Sequence, residues 1–137
     1  MSDASARGRS NRNRGAAAER ELARWIRDEL GIDVARELKQ FQQAQHFDLT
    51  PVGPFGIECK YHARLNVKDW WKQAAASAKA SGLVPVVAYK VARKGWRFVL
   101  PVSKPECQWY NMAWLYEYEY TMDVGPACFA MIVREAL

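Results

Sequence analysis

Residues 46–62 read HFDLTPVGPFGIECKYH. Two short segments, 46–50 and 56–62, flank TPVGPFG, whose Pro and Gly residues are turn formers, so the stretch predicts a β-hairpin. Side chains alternate across a strand, which puts Glu58 and Lys60 on one face and Ile57, Cys59 and Tyr61 on the other. Asp48, ten residues before Glu58, can lie opposite them on the partner strand. Two carboxylates brought together repel each other unless a cation lies between them. A small number of hard oxygen ligands, with positions left for water and phosphate, suits Mg²⁺. Lys60 is then placed to orient an activated water and to offset developing negative charge. The bland alternative is a salt-bridge cluster on a half-exposed hairpin.

Upstream, residues 16–30 carry Ala18, Leu22, Trp25, Ile26 and Leu30 at helical spacing, and Gly31 supplies a stop. At about 100° per residue, Glu19 falls inside the apolar stripe, between Ile26 and Leu30, whereas Arg20 lies on the far side and Glu21 well off it. A carboxylate aimed at a core needs a partner. Glu19 therefore either completes an acidic pocket with Asp48 and Glu58, or merely caps the helix or pairs with Arg36. Residues 32–41 contain an alternating stretch consistent with a strand, and the glutamine-rich 40–45 reads as a loop or an extension of that strand.

Downstream, 66–82 reads as a second helix with Val67, Trp70, Trp71, Ala74, Ala75 and Ala78 on its apolar face and Gly82 at its end. The continuous apolar run 83–91 suits a central strand covered on both faces, and RKG turns into another strand at 96–102. Helix, three strands, helix and two strands make an α/β sandwich on a mixed sheet. Residues 103–137 leave two readings open: a short helix with a following strand, and a final segment that is strand or helix. Their aromatics, Trp109, Tyr110, Trp114, Tyr116, Tyr118 and Tyr120, close a core or a subunit interface, or else stack on bases. Trp70 and Trp71 belong to the core or to a dimer face.

The chain's 137 residues amount to a single domain. No apolar run nears the roughly 20 residues that span a bilayer, and residues 1–15 have no apolar signal region. The cytosol is the expected location, or the host cytoplasm if a phage encodes the chain. Cys59, Cys107 and Cys128 are odd in number and far apart, as expected of reduced thiols. The net charge of +5 divides into −3 over residues 104–137 and +8 over 1–103. Arg7, Arg9, Arg12 and Arg14 sit among Gly, Ser and Asn, so 1–14 reads as a flexible basic arm ahead of a domain at 15–137. Such an arm marks phosphate-backbone binding or is a solvated tail without function.

Asp48, Glu58 and Lys60 in the order D-x9-E-x-K resemble the signature of the PD-(D/E)xK nuclease superfamily. The flanks are similar to archaeal-type Holliday junction resolvases and to small phage and prophage nucleases. RGAAAERELARWIRDELGIDVAR resembles their opening helix, GIECK their catalytic strand, and SGLVPVVAYKVARKGWRFV the segment after their second helix. The likeness covers roughly residues 14–102. It implies a restriction-endonuclease-like fold, with a central mixed β-sheet flanked by helices. It also implies a Mg²⁺-dependent DNA endonuclease, with Mn²⁺ able to substitute, that works as a homodimer on branched or four-way junction DNA. Carried over by position, Glu19 is the helix carboxylate, Asp48 and Glu58 are metal ligands with the backbone carbonyl of Cys59, Lys60 is the catalytic lysine, and Gln73 supports the site. Phe47 departs from the pattern, standing where a proline usually precedes the aspartate. The acidic, aromatic tail beyond residue 103 has no counterpart.

The DNA contacts expected on this reading are the arm arginines, Arg20, His62, Arg64, Lys68, Lys90, Arg93 and Lys94. Lys90 is otherwise a strand-end residue whose stem lies along apolar surface. His46 and His62 lack the spacing of a histidine metal site and read as surface or phosphate-contacting residues. P-loop, GxSxG and Rossmann patterns are absent. A DNA-binding or scaffold protein with the nuclease fold but without its catalysis is the other functional class, and within the enzyme class the alternative is a repair- or restriction-type nuclease without junction preference.

Overall fold

The structure is a computed structural model that describes residues 3–37, 47–61, 64–102 and 113–137, the side chains of 3–14, 113 and 114 excepted. A long helix α1 (Asp3–Leu30) is followed by strand β1 (Phe55–Lys60), helix α2 (Val67–Ser81) and strands β2 (Val84–Val91) and β3 (Gly95–Pro101). Two 3-10 turns, Ala113–Tyr116 and Tyr118–Tyr120, lead into strand β4 (Thr121–Val124) and helix α3 (Pro126–Ala136). The strands form one sheet in the order β1-β2-β3-β4. β1 and β2 run parallel, as the α2 crossover requires, while β2–β3 and β3–β4 are antiparallel. This is the α/β architecture of a mixed sheet between helices that the restriction-endonuclease-like resemblance implied.

Each face of the sheet has its own core. Leu22 and Ile26 of α1 and Phe129 and Val133 of α3 pack against Ile57, Phe98 and Leu100 on one face, and the Phe98 and Phe129 rings stack 4.1 Å apart. On the other face, Trp70, Trp71, Ala74 and Ala78 of α2 cover Val87, Tyr89 and Val99, joined by Phe47. The Trp70 and Trp71 assignment to core holds. Gly82 ends α2 in the left-handed region at φ 73° and donates its N–H to Ala78 O at 2.8 Å, as a helix-closing glycine does. No helix among the described residues is long and apolar enough to cross a membrane.

Three features differ from the sequence reading. First, α1 begins at Asp3 rather than at residue 16, so the backbone of 3–14, read as a flexible arm, is helical. Ala and Arg are good helix formers, and a helix nucleated by the packed segment after Ala18 extends at little cost per residue. Second, the hairpin does not form. Pro51 and Pro54 lack backbone donors, and only Val52 and Phe55 pair across the turn. Residues 48–50 instead pair with 35–37, through Glu37 N to Asp48 O and Thr50 N to Ala35 O, both 2.8 Å. Third, the expected strand at 32–41 is reduced, among its described residues, to the single bridge between Arg36 and Leu49. In the tail, which the sequence left open, β4 adds an edge strand and α3 takes the helical alternative, both packing on the core. Residues 38–46, with His46, 62–63, with His62, and 103–112, with Cys107, Trp109 and Tyr110, lie outside the described residues, as does the Trp114 side chain.

Candidate active site

β1 places Glu58 and Lys60 at its C-terminal end on the α2 face, since they pair in register with Val87 and Tyr89, both packed under α2. Carboxyl ends of parallel strands are where α/β sheets bind ligands. Gly56 stands on the same face two residues earlier, and a Cβ there would collide with the Phe47 ring. Glycine in this strand is thus the close-approach kind. The Phe47 ring laid over Gly56 fixes the chain one residue before Asp48.

Asp48 reaches the site by its side chain rather than by strand pairing. Cys59 N donates to Asp48 Oδ2 at 2.7 Å, and the Asp48 and Glu58 carboxyl groups are hydrogen-bonded to each other. Glu58 is only 2 % exposed. Burial first, and the Asp48 charge second, push its carboxyl well above the usual range, against the opposing pull of Lys60. Lys60 Nζ lies 3.9 Å from Glu58 Oε2 and donates to Gln73 Oε1 at 2.7 Å. Gln73, exposed on the polar side of α2, is therefore joined to the site through the lysine.

Glu19 is 8 % exposed and aimed inward from α1 as the wheel required. It accepts a hydrogen bond from Arg36 Nε at 2.6 Å. Burial raises its carboxyl pKa, the Arg36 bond opposes this, and the charge of Asp48 adds to it. The pairing with Arg36 is thus what the structure shows, and the charge of Asp48 is felt at Glu19 as well. The Cys59 thiol is held well above its ordinary pKa by burial and by Asp48, Glu19 and Glu58, which makes it a poor nucleophile.

No group of three or more His, Cys, Asp or Glu side chains that could cage a metal occurs among the described residues. A cage is not what the donors suit. Two neighbouring carboxyl groups, one almost wholly buried and held at a raised pKa by the other, would be eased into their charged forms by an added cation. With the Cys59 carbonyl they fit a hard divalent cation that fills its remaining positions with water and phosphate.

The expected DNA contacts are scattered. Arg20, Arg64, Lys68, Arg93 and Lys94 are exposed, with Arg93 and Lys94 in the β2–β3 turn. Lys90 is diverted: its Nζ binds both oxygens of Glu21 at 2.7 and 2.8 Å and lies over the Trp96 ring. The packing of Phe47 on Gly56 was not anticipated from the spacing of either residue. A glycine inside a strand pattern was the available signal.

The profile of the family described as "Phage putative PDDEXK endonuclease" matches residues 10–125, from the first half of α1 through β4. The comparison with curated proteins returned no match.

Proposed function

The chain belongs to the phage PD-(D/E)xK endonuclease family, and from that premise we propose that it hydrolyses DNA phosphodiester bonds with the help of Mg²⁺, Mn²⁺ being able to substitute. The observation that carries this reading is the meeting of Asp48, Glu58 and Lys60, from two separate chain segments, in one partly buried cluster. Asp48 and Glu58, with the Cys59 carbonyl, would hold the cation, and Glu19 of α1 would stand beside them as the further carboxylate. When bound, a divalent cation supplies charge stabilisation on the phosphate and acidifies its water. Lys60, steadied by Gln73, points its ammonium at the attacking water and the phosphate oxygens. The exposed cations Arg20, Arg64, Lys68, Arg93 and Lys94, with His62 and the arm arginines, contact the backbone on either side. Lys90 joins them only by leaving Glu21.

The finer reading is a resolvase-like enzyme that acts as a C2 dimer on four-way junctions, supported by the resemblance of residues 14–102 to junction resolvases. Incubating the protein with a four-way junction and a matching linear duplex, with Mg²⁺ or with EDTA, tests both levels. Metal-dependent cutting of the junction over the duplex is expected. Equal cutting of both would remove the junction preference and keep the nuclease, and no cutting of either would remove the enzyme.

A further inference from the structure

We propose that the N-terminal half of α1 is a rigid lever that lies in a groove of duplex DNA beside the cut site, a reading that rests on the nuclease assignment above. α1 is fastened along its packed half. Glu19 is tied to Arg36 at 2.6 Å, Glu21 to Lys90 at 2.7 Å, Arg27 Nη1 to Val34 O at 2.6 Å, and Glu29 O to Arg134 Nη2 at 3.0 Å. The first of these fastenings stands at the active site. The helix is unbroken back to Asp3, whereas the buried apolar residues of its described part begin at Ala18. The fifteen residues before Ala18 therefore leave the site end of the domain in a direction fixed by the packed half. At about 1.5 Å per residue they reach roughly 22 Å, or about six base pairs of duplex at 3.4 Å each.

The composition of this stretch suits a nucleic acid rather than a protein core. Residues 3–17 hold Arg7, Arg9, Arg12 and Arg14 against Asp3 alone, and alanine is their only apolar residue type apart from glycine. At about 100° per residue, positions 7 and 14 nearly superpose on one flank of the helix, while 9 and 12 fall on the opposite flank. A single basic stripe would match one phosphate chain. Basic positions on both flanks suit the two walls of a major groove, which is about 12 Å wide and admits an α-helix.

Gly15 allows rigidity to be separated from charge. A Cβ there meets nothing within 4 Å, so Gly15→Pro breaks the helix without disturbing the core and keeps all four arginines. The full chain, Gly15→Pro, and the combined Arg7→Gln, Arg9→Gln, Arg12→Gln, Arg14→Gln variant are compared for binding to a labelled 30-base-pair duplex and its single strand across a salt series. Unchanged melting midpoints establish folding, and lower helical circular dichroism confirms the break in Gly15→Pro. We expect Gly15→Pro to weaken duplex binding about tenfold through lost preorganisation and to leave single-strand binding unchanged. We expect the arginine variant to flatten the salt slope by about 0.9 for each phosphate it no longer neutralises. Gly15→Pro matching the unaltered chain while the arginine variant weakens would make the arm a flexible tether and overturn the lever. Neither variant differing, or an equal loss on single strand, would also overturn it while cleavage by the unaltered chain kept the nuclease reading. Failure of the unaltered chain to bind or cut DNA would bring down both.

Discussion

Two ionic assemblies share the α2 face of the sheet, and they are built on opposite principles. Lys60 and Tyr89 are register partners on neighbouring strands, so the assemblies start side by side. In the first, Asp48 and Glu58 touch each other in a buried setting, and the single ammonium of Lys60 stands 3.9 Å from the nearer oxygen of Glu58. In the second, Tyr89 donates its hydroxyl to Asp123 Oδ2, and Arg97 Nε binds Asp123 Oδ1 at 2.8 Å. There the negative charge is matched by one guanidinium and half open to water. In the first cluster two carboxyl groups share a buried setting that holds the Glu58 pKa high, a setting an added cation would relieve; the second is complete. Carboxyl groups perturbed by burial and by a specific charged neighbour cluster at functional sites.

Substitutions should separate the two assemblies most sharply in activity. Asp48→Asn and Lys60→Ala are expected to lower Mg²⁺-dependent cleavage at least on the order of 10²–10³-fold, while Arg97→Gln leaves it within about twofold. Single-turnover cleavage of a saturating DNA substrate is the measurement, and equal losses in both assemblies would void the distinction. In the absence of metal, Asp48→Asn should change the melting temperature little, since the amide keeps an acceptor for Cys59 N–H and a hydrogen-bonding partner for the Glu58 carboxyl. Mg²⁺ should raise the melting temperature of the unaltered chain, by an amount equivalent to about 2.7 kcal/mol at a hundred times its dissociation constant. Asp48→Asn should not respond.

A smaller effect tests how the first assembly is held. Gly56→Ala forces a methyl into the Phe47 ring, and overpacking of this kind costs about 1–3 kcal/mol. Because Phe47 precedes Asp48, cleavage should fall as well as stability. Denaturant melts and cleavage rates of Gly56→Ala, alone and with Phe47→Leu to relieve the clash, check this. No loss in the single variant would show that the ring is not what seats Asp48.

Which parts were legible follows from the same contrast between local and distant causes. Periodicity is local, so the buried stripe of Leu22 and Ile26, the α2 face with its Gly82 stop, and the strands now labelled β1, β2 and β3 could all be read from spacing. The inward aim of Glu19 could be read for the same reason. The neighbours of Asp48 could not, because its backbone pairs with residues 35–37 and its side chain reaches Cys59 N–H. Only the prolines at 51 and 54 hinted against a hairpin ladder. The tail was opaque because β4 is four residues long, too short for alternation to register, and its aromatics suit several settings. The arm misled because its Gly, Ser and Asn content outweighed its Ala and Arg, although helix can extend through such residues from a packed segment.

The smallest effects belong to the second assembly, where pH gives the cleanest handle. Burial, and then the hydrogen bond to Asp123, push the Tyr89 hydroxyl up to about 12, whereas an unfolded tyrosine titrates near 10. Between those values the folded state holds a proton that the unfolded state has released. Stability from this group is therefore whole below about pH 10 and lost as pH climbs toward 12. Lysines titrate in the same range, so the informative quantity is the difference between the unaltered chain and Tyr89→Phe in urea melts from pH 8.5 to about 11.5. That difference should shrink as pH rises, and a constant difference would mean that Tyr89 acts by packing alone. Arg97→Gln should cost less still, about 0–1 kcal/mol and less at high salt, because both partners of its pair are more than a third exposed. A completed ion pair at the surface gives up little when broken, and that is the sense in which the second assembly is structural while the first, beside it, is not.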